Sequence, residues 1–264
     1  MNEQTARQKI DTAKPPVILV PGIIFPAVLS YAPLLEALKG YANAITKELE
    51  VYSEVVPPVG YGVETEVEGI RRIAEQAGMD SFHLVGYSAG GLAAMGFIEK
   101  YPEQVRSLTL IEQYGTGHSQ NSQEEAAFLL EAEQVISLPP AERVQAFLPL
   151  NLGRDTQTPP PPDMSPAWMV LRPAGITALI RSAQAAAISR ERLREFQRPV
   201  YVAYGSLSHA IWKVMADQLE GIFSNIHVEV YEGIHHLSPP QRSQPEKFAH
   251  TLLALWAQAE HGYK

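Results

Sequence analysis

The segment of this chain with the clearest chemical potential is Gly86-Tyr87-Ser88-Ala89-Gly90, which places a serine between two glycines. The apolar run from Phe82 to Val85 precedes it, and the residues after it read as the start of a helix. A strand that turns sharply into a helix strains its turn residue, and flanking glycines remove the side chains that would clash there. The N-terminal N–H groups of the helix then favour an anion beside the serine. This context predicts that Ser88 is a nucleophile; the alternative is a small residue in a tight turn.

The composition limits the partners and the chemistry. The chain has 264 residues, of which 45% are hydrophobic, as expected for a globular protein with one large core or a core plus an insertion. A formal net charge of −8 argues against nucleic acid or an anionic membrane as the main partner, because either would need a basic face. The lack of cysteine excludes disulfides, thiolate zinc sites and a cysteine nucleophile. The lack of cysteine and the polar N-terminus, which has no apolar core of a secretory signal, together favour a cytoplasmic protein.

Strand and helix patterns alternate along most of the chain, which predicts an α/β fold with a mostly parallel sheet flanked by helices. A second strand region is expected between Ile45 and Val56, with poorly defined limits. The alternation stops between Gly117 and about Phe196, where the patterns are helical. We therefore predict that residues 1–117 and 196–264 form the core and that residues 118–195 form a helical insertion. The remaining predicted strands are Val17 to Val20, Phe82 to Val85, Val105 to Ile111, Pro199 to Tyr204 and Ile226 to Tyr231.

Several segments besides the serine turn resemble the α/β-hydrolase superfamily, in the branch that carries a small helical cap after the strand following the nucleophile. The resemblance covers almost the whole chain, and it implies that residues 118–195 are this cap. The order of a serine followed by a histidine near the C-terminus is also the order that this fold uses. The matching segments are Val17 to Gly22, Tyr101 to Val105, Glu232 to Leu237 and Gln244 to Phe248.

The resemblance implies a base and two oxyanion donors. The family pattern places an apolar residue directly after the catalytic histidine, so His236, which precedes Leu237, is expected to be the base rather than His235. The expected oxyanion donors are the backbone N–H groups of Ala89 and Ile23. Ile23 could instead be only a core residue. A proline, Pro21, stands where the family often has histidine, so any hydrogen bond of that histidine is absent, but the backbone donor is not lost.

The acid that would orient the histidine departs from the common pattern. The family often carries it at the fourth position of a Gly-x-x-Asp turn, which here ends in Ser208 and offers no carboxylate. Some relatives place the acid at the end of the strand that follows the nucleophile, where this chain has Glu112. We therefore expect Glu112 to be the acid. The alternative is a Ser-His dyad in which His209 or a backbone carbonyl orients the base.

These residues predict a serine hydrolase that cleaves a carboxylic ester of a small, largely apolar substrate through an acyl-enzyme on Ser88. No cofactor and no metal are expected, because the paired histidines have neither a His-Glu-x-x-His helix nor an acidic cluster beside them. Apolar residues of the insertion could line the pocket or only pack against the core. The expected pocket residues are Ile24, Phe25, Tyr87, His118, Trp168 and Leu237.

Two other functions remain open on the same sequence. A hydrolase or lyase that cleaves carbon–carbon bonds would use Ser88 and His236 to move a proton, without a lasting acyl-enzyme. A protein that only binds a small apolar ligand is the other alternative, because Ser208 stands where the acid is usual. In each case the expected partner is a small molecule, and neither nucleic acid nor a membrane is expected.

Overall fold

A computed structural model of the protein describes residues 14–113, 115, 122–160 and 163–261. Its centre is a six-stranded sheet with the strand order β2-β1-β3-β4-β5-β6, and every adjacent pair is parallel. All the strands therefore end at the same edge of the sheet, where the loops that follow them can meet. The strands are β1 (Pro16–Val20), β2 (Asn43–Thr46), β3 (Phe82–Tyr87), β4 (Val105–Ile111), β5 (Val200–Gly205) and β6 (Ile226–Tyr231).

Helices cover both faces of the sheet. Alternate residues of β1 point to opposite faces, so Val17 and Leu19 belong to the hydrophobic cluster that includes residues of the first and last helices, while Ile18 and Val20 belong to the cluster on the other face. Both faces are buried, which agrees with the predicted fold class. The helices are α1 (Ala27–Ala37), α2 (Val63–Ala77), α3 (Ala89–Lys100), α4 (Gln123–Ser137), α5 (Pro140–Leu150), α6 (Arg172–Ala185), α7 (Arg190–Arg194), α8 (Ile211–Glu220), α9 (Pro240–Ser243) and α10 (Pro245–His261).

The segment between β4 and β5 is helical, as the sequence predicts. Helices α4, α5 and α6 pack on one another, and α4 also contacts α8 of the core. Buried residues such as Phe128 and Ile176 join these helices to the hydrophobic cluster on the α3 side of the sheet. That the segment acts as a cap stays a prediction. None of the helices among the described residues is long and apolar enough to span a membrane.

The second strand is shorter and earlier than expected. It ends at Thr46, and the chain then forms a short 3-10 helix, Glu50–Tyr52, while Val55 and Val56 are exposed. The cause is Glu66 of α2, whose buried carboxylate accepts hydrogen bonds from the backbone N–H groups of residues 50 and 51 at 3.0 and 3.2 Å. These bonds turn the chain away from the sheet. The extension of this strand towards Val56 is therefore wrong.

One histidine, His83 of β3, is fully buried in the core. Its Nδ1 lies 2.8 Å from the Ser107 hydroxyl, and its ring stacks on Trp256 with the centroids 5.2 Å apart. Glu260 Oε1 lies 3.4 Å from Nε2 but is already paired with Arg106 at 2.6 Å, so it does little for a charge on the ring. Burial dominates and lowers the pKa of His83 from 6.5 to about 3.

This buried histidine makes stability depend on pH. Between pH about 6 and 4 the unfolded chain binds a proton at position 83 that the folded chain excludes, so His83 lowers the unfolding free energy by about 1.4 kcal/mol per pH unit as pH falls. Above about pH 6.5 the ring is mostly neutral in both the folded and the unfolded chain, so His83 then causes no loss of unfolding free energy. We expect denaturant unfolding of His83→Asn to show a correspondingly shallower pH slope. Replacing exposed His250 by Asn is the control, and a His83→Asn slope equal to that of the unmodified protein would contradict the account.

Candidate active site

The turn after β3 holds Ser88 in a strained backbone. Ser88 has φ 54° and ψ −118° and is the N-cap residue of α3, while its N–H donates to the Ile111 carbonyl at 2.9 Å. A Cβ on Gly86 would lie 2.5 Å from the Gly90 carbonyl oxygen, and one on Gly90 would lie 2.3 Å from the Val20 carbonyl oxygen. Only glycine fits at these two positions. The turn therefore matches the strand-turn-helix geometry that the sequence predicts for this serine.

Ser88, His236 and Glu112 form one hydrogen-bonded chain. Nε2 of His236 lies 3.1 Å from the Ser88 hydroxyl oxygen, and Nδ1 of the same ring lies 2.5 Å from Glu112 Oε2. A carboxylate only accepts hydrogen bonds, so the proton of a neutral imidazole belongs on Nδ1 and Nε2 is free to accept the serine proton. All three residues are buried. The residues come from three separate chain segments, after β3, β4 and β6.

Glu112 directly follows β4 and is only 2% exposed. Its Oε1 accepts hydrogen bonds from the Gly205 N–H at 2.7 Å and from the Ser208 hydroxyl, while Oε2 faces His236. At the position where the family often has its acid, Ser208 therefore supplies a hydrogen-bond donor to the Glu112 carboxylate. Glu112 also has a positive φ, 43°, and it shares this with Ser88 alone among the non-glycine residues in the described part of the chain. Strain of this kind persists where the surroundings hold it, which is common at functional sites.

Trp212 and Tyr87 both contact His236. Trp212 of α8 stacks on it, with the centroids 4.5 Å apart and the planes 5° from parallel, and the Tyr87 hydroxyl donates to the His236 carbonyl at 2.5 Å. The neighbouring His235 is half-buried, and burial lowers its pKa. His209 accepts a hydrogen bond from the Ile211 N–H at 3.1 Å instead of contacting the His236 ring.

The two backbone donors expected beside Ser88 are available. Ala89 and Ile23 both line the pocket that Ser88 faces, and among the described residues neither N–H donates to another protein group. By contrast, the next N–H along the helix, that of Gly90, is taken by the Pro21 carbonyl at 3.1 Å. This bond joins the loop after β1 to the start of α3. The two free N–H groups therefore lie on segments that are tied together.

Tyr52 fixes the other end of that loop. Its hydroxyl donates to the Ile23 carbonyl at 2.8 Å, and the buried guanidinium of Arg172 stacks on its ring at 3.7 Å. Burial raises the pKa of Tyr52, so the hydroxyl stays protonated and can donate. Glu66 holds the segment that carries Tyr52, through the two backbone bonds described above and a buried ion pair with Lys47 at 2.6 Å. The Ile23 carbonyl is thus held by residues outside the hydrogen-bonded chain of Ser88, His236 and Glu112.

Two pockets meet at Ser88. The apolar pocket lies under the helices between β4 and β5, contains about 450 Å³ of unfilled space including its mouth, and is lined mainly by Leu92, Phe128, Phe147, Leu150, Leu179 and Ile180. The cationic pocket lies on the His236 side, contains about 360 Å³ of unfilled space including its mouth, and is lined mainly by Ile24, Phe25, Ser30, Tyr87, Leu237 and Arg242. Within the part of the chain that the structure describes, no group of three His, Cys, Asp or Glu side chains could hold a metal.

Four of the six pocket residues expected from the sequence line the cationic pocket beside Ser88, namely Ile24, Phe25, Tyr87 and Leu237. Trp168 packs against Phe25, with the ring centroids 6.1 Å apart, and lines neither of these two pockets, so its role as a pocket residue stays a prediction. His118 lies outside the described residues. Trp212 and Tyr52 were not predicted as part of the site, because nothing in their local sequence pattern marks them. Leu179, Ile180 and Ala183 form a helical stripe that could have been read as either core or pocket.

A family model described as the alpha/beta hydrolase fold matches residues 52–241, which is more than half of the chain. The protein belongs to this family. It is similar to a carboxylesterase of Bacillus subtilis (strain 168), named uncharacterized carboxylesterase nap, with 24% identity over 98 residues. That match covers 37% of this chain and only 33%, about a third, of the other protein.

Solved structures show the same fold at low sequence identity. One is a thermophilic esterase from Thermogutta terrifontis, with a TM-score of 0.70 and 21% identity, covering 92% of this chain and 90% of that chain. Another is the carboxylesterase CesB from Bacillus subtilis, with a TM-score of 0.65 and 17% identity, covering 93% of this chain and 85% of that chain.

Proposed function

We propose that this protein is a serine hydrolase that cleaves a carboxylic ester, or a related acyl bond, of a small and largely apolar substrate through an acyl-enzyme on Ser88. The observation that carries the proposal is the hydrogen-bonded chain from Ser88 through His236 to Glu112. Family membership and the carboxylesterase names of similar proteins support hydrolase activity.

The first step is attack on the ester carbonyl. A serine hydroxyl is a weak nucleophile at neutral pH, so His236 Nε2 takes the Ser88 proton as the oxygen attacks. Glu112 keeps the Nδ1 proton in place and stabilises the imidazolium that forms. The N–H groups of Ala89 and Ile23 donate to the oxyanion, where each such donor is worth about 3 kcal/mol in the transition state.

The second half of the reaction restores the enzyme. The imidazolium of His236 gives its proton to the departing alcohol oxygen, which leaves the acyl group esterified to Ser88. A water molecule, deprotonated by the same imidazole, then attacks this ester, and the imidazolium returns the proton to the Ser88 oxygen as the acid leaves. The stacked Trp212 keeps the ring plane fixed through both proton transfers. The apolar pocket beside Ala89 accommodates the acyl chain.

Neither of the two alternative functions requires a lasting acyl-enzyme on Ser88. A protein that only binds a ligand was considered because Ser208 is not an acid, but Glu112 occupies the place beside His236 that an acid needs. Cleavage of carbon–carbon bonds would use the same serine and histidine, and an acylation experiment separates it from ester hydrolysis.

Trapping the acyl-enzyme tests the function. We expect a fluorophosphonate to label Ser88, as located by peptide mass spectrometry, and p-nitrophenyl acetate to give a burst of one p-nitrophenolate per active site followed by turnover. Ser88→Ala should show neither, and Ser122→Ala, which changes a serine at the N-cap of α4, is the matched control. A protein that no ester acylates, but that cleaves a β-diketone, would contradict the proposal.

Tyr52 provides a second test, of the oxyanion donor on Ile23. Removing its hydroxyl with Tyr52→Phe frees the Ile23 carbonyl, so the adjacent peptide loses its fixed direction. We expect kcat on an ester to fall about 10-fold or more with KM nearly unchanged, because oxyanion donors act mainly in the transition state. Tyr101→Phe is the control, since it removes a hydroxyl that bonds Glu68, on α2. Equal kcat values for the two variants would show that Tyr52 does not position the donor.

A further inference from the structure

The cationic pocket holds two polar groups that the mechanism does not use. One is the guanidinium of Arg242 on α9, and the other is the hydroxyl of Ser30 on α1. Both border the same space as Ser88 and His236. An apolar substrate has no use for either group, so their presence beside the nucleophile needs a separate explanation.

Neither group has a protein partner that satisfies it. The Arg242 side chain is half-buried; among the described residues it forms no ion pair, and its guanidinium lies over the Phe25 ring at 4.4 Å. Ser30 is 1% exposed, and its hydroxyl oxygen has no hydrogen-bond partner within the described part of the protein. A buried hydroxyl without a partner is costly, and a cation beside it favours an anion.

The position of His236 decides which part of an ester enters this pocket. In the proposed mechanism, Nε2 of His236 gives its proton to the departing alcohol oxygen, so the alcohol portion must lie on the histidine side. His236 lines the cationic pocket and does not line the apolar pocket. The apolar pocket, which borders Ala89 and has almost only apolar lining, is then left for the acyl chain.

We propose that the cationic pocket binds the alcohol portion of the substrate and that Arg242 and Ser30 together bind a carboxylate on that portion. A carboxylate can accept two hydrogen bonds from a planar guanidinium and a further one from a hydroxyl, which matches the donors present. Phe25 holds the guanidinium at the pocket wall through the cation–π contact. This inference rests on the proposed function and narrows it to esters that join an apolar acid to an anionic alcohol.

A matched pair of esters tests the assignment. The substrates 4-carboxyphenyl butanoate and 4-carbamoylphenyl butanoate share the acyl chain and the shape of the alcohol, and differ in charge. The readout is kcat/KM for the carboxyphenyl ester divided by kcat/KM for the carbamoylphenyl ester. Comparing this ratio between variants cancels the intrinsic reactivity of the two leaving groups. We expect Arg242→Gln to lower the ratio on the order of 10-fold or more, mainly through KM, and Ser30→Ala to lower it a few-fold.

Two further variants separate charge from shape and position. Arg242→Lys should retain a preference for the charged ester, although a smaller one, since lysine keeps the charge but loses the two-point geometry. Arg181→Gln removes the same charge from an exposed residue of α6 that lines neither pocket beside Ser88, and it should leave the ratio unchanged. A ratio that Arg242→Gln leaves unchanged would overturn the proposal.

Two controls separate this inference from the proposed function. Calorimetric titration of Ser88→Ala with both esters measures binding alone, so the charge preference can be tested even if neither ester is hydrolysed. Loss of that preference in Ser88→Ala/Arg242→Gln would support the pocket assignment, and its persistence would contradict it.

On the acyl side, 4-nitrophenyl hydrogen succinate is compared with 4-nitrophenyl 4-oxopentanoate. An Arg242-dependent preference for the succinate would overturn the placement of the alcohol portion in this pocket.

Discussion

Burying the Glu112 carboxylate at the end of β4 costs free energy unless hydrogen-bond donors surround it. The donors that surround it belong to the candidate site. One oxygen accepts from the Gly205 N–H and the Ser208 hydroxyl, and the other faces His236. Gly205 is the last residue of β5, Ser208 follows β5, and His236 follows β6. A single buried charge therefore ties together the ends of three adjacent strands, and it fixes the imidazole that reaches Ser88.

The parallel sheet makes this arrangement possible, because all its strands end at one edge. The serine turn follows β3, Glu112 follows β4, and the histidine loop follows β6, so short connections bring them together. A second set of contacts acts from the β1 side, where Tyr52 and Gly90 hold the two ends of the loop that carries the Ile23 N–H. Residues of α4, α5 and α6 then line the apolar pocket beside Ser88.

The sequence predicted the parts of this account that depend on local chemistry. The serine turn is visible because two positions admit only glycine, and the fold class is visible because apolar runs alternate with helical patterns. The second strand was placed wrongly because a carboxylate 20 residues away, on Glu66, turns the chain. Trp212, Tyr52 and Arg242 were missed for the same reason: their roles depend on which distant residues the fold brings beside them.

The role of Glu112 is the central claim, and exchanging the acid between two positions tests it most directly. We predict that Glu112→Gln lowers kcat/KM for an ester on the order of 10²-fold or more while the circular dichroism spectrum and the denaturation midpoint show a folded protein. Since the Ser208 hydroxyl contacts the same carboxylate, Glu112→Ala/Ser208→Asp should regain part of the activity that Glu112→Ala loses. A folded Glu112→Gln variant with nearly unchanged kcat/KM would contradict the account.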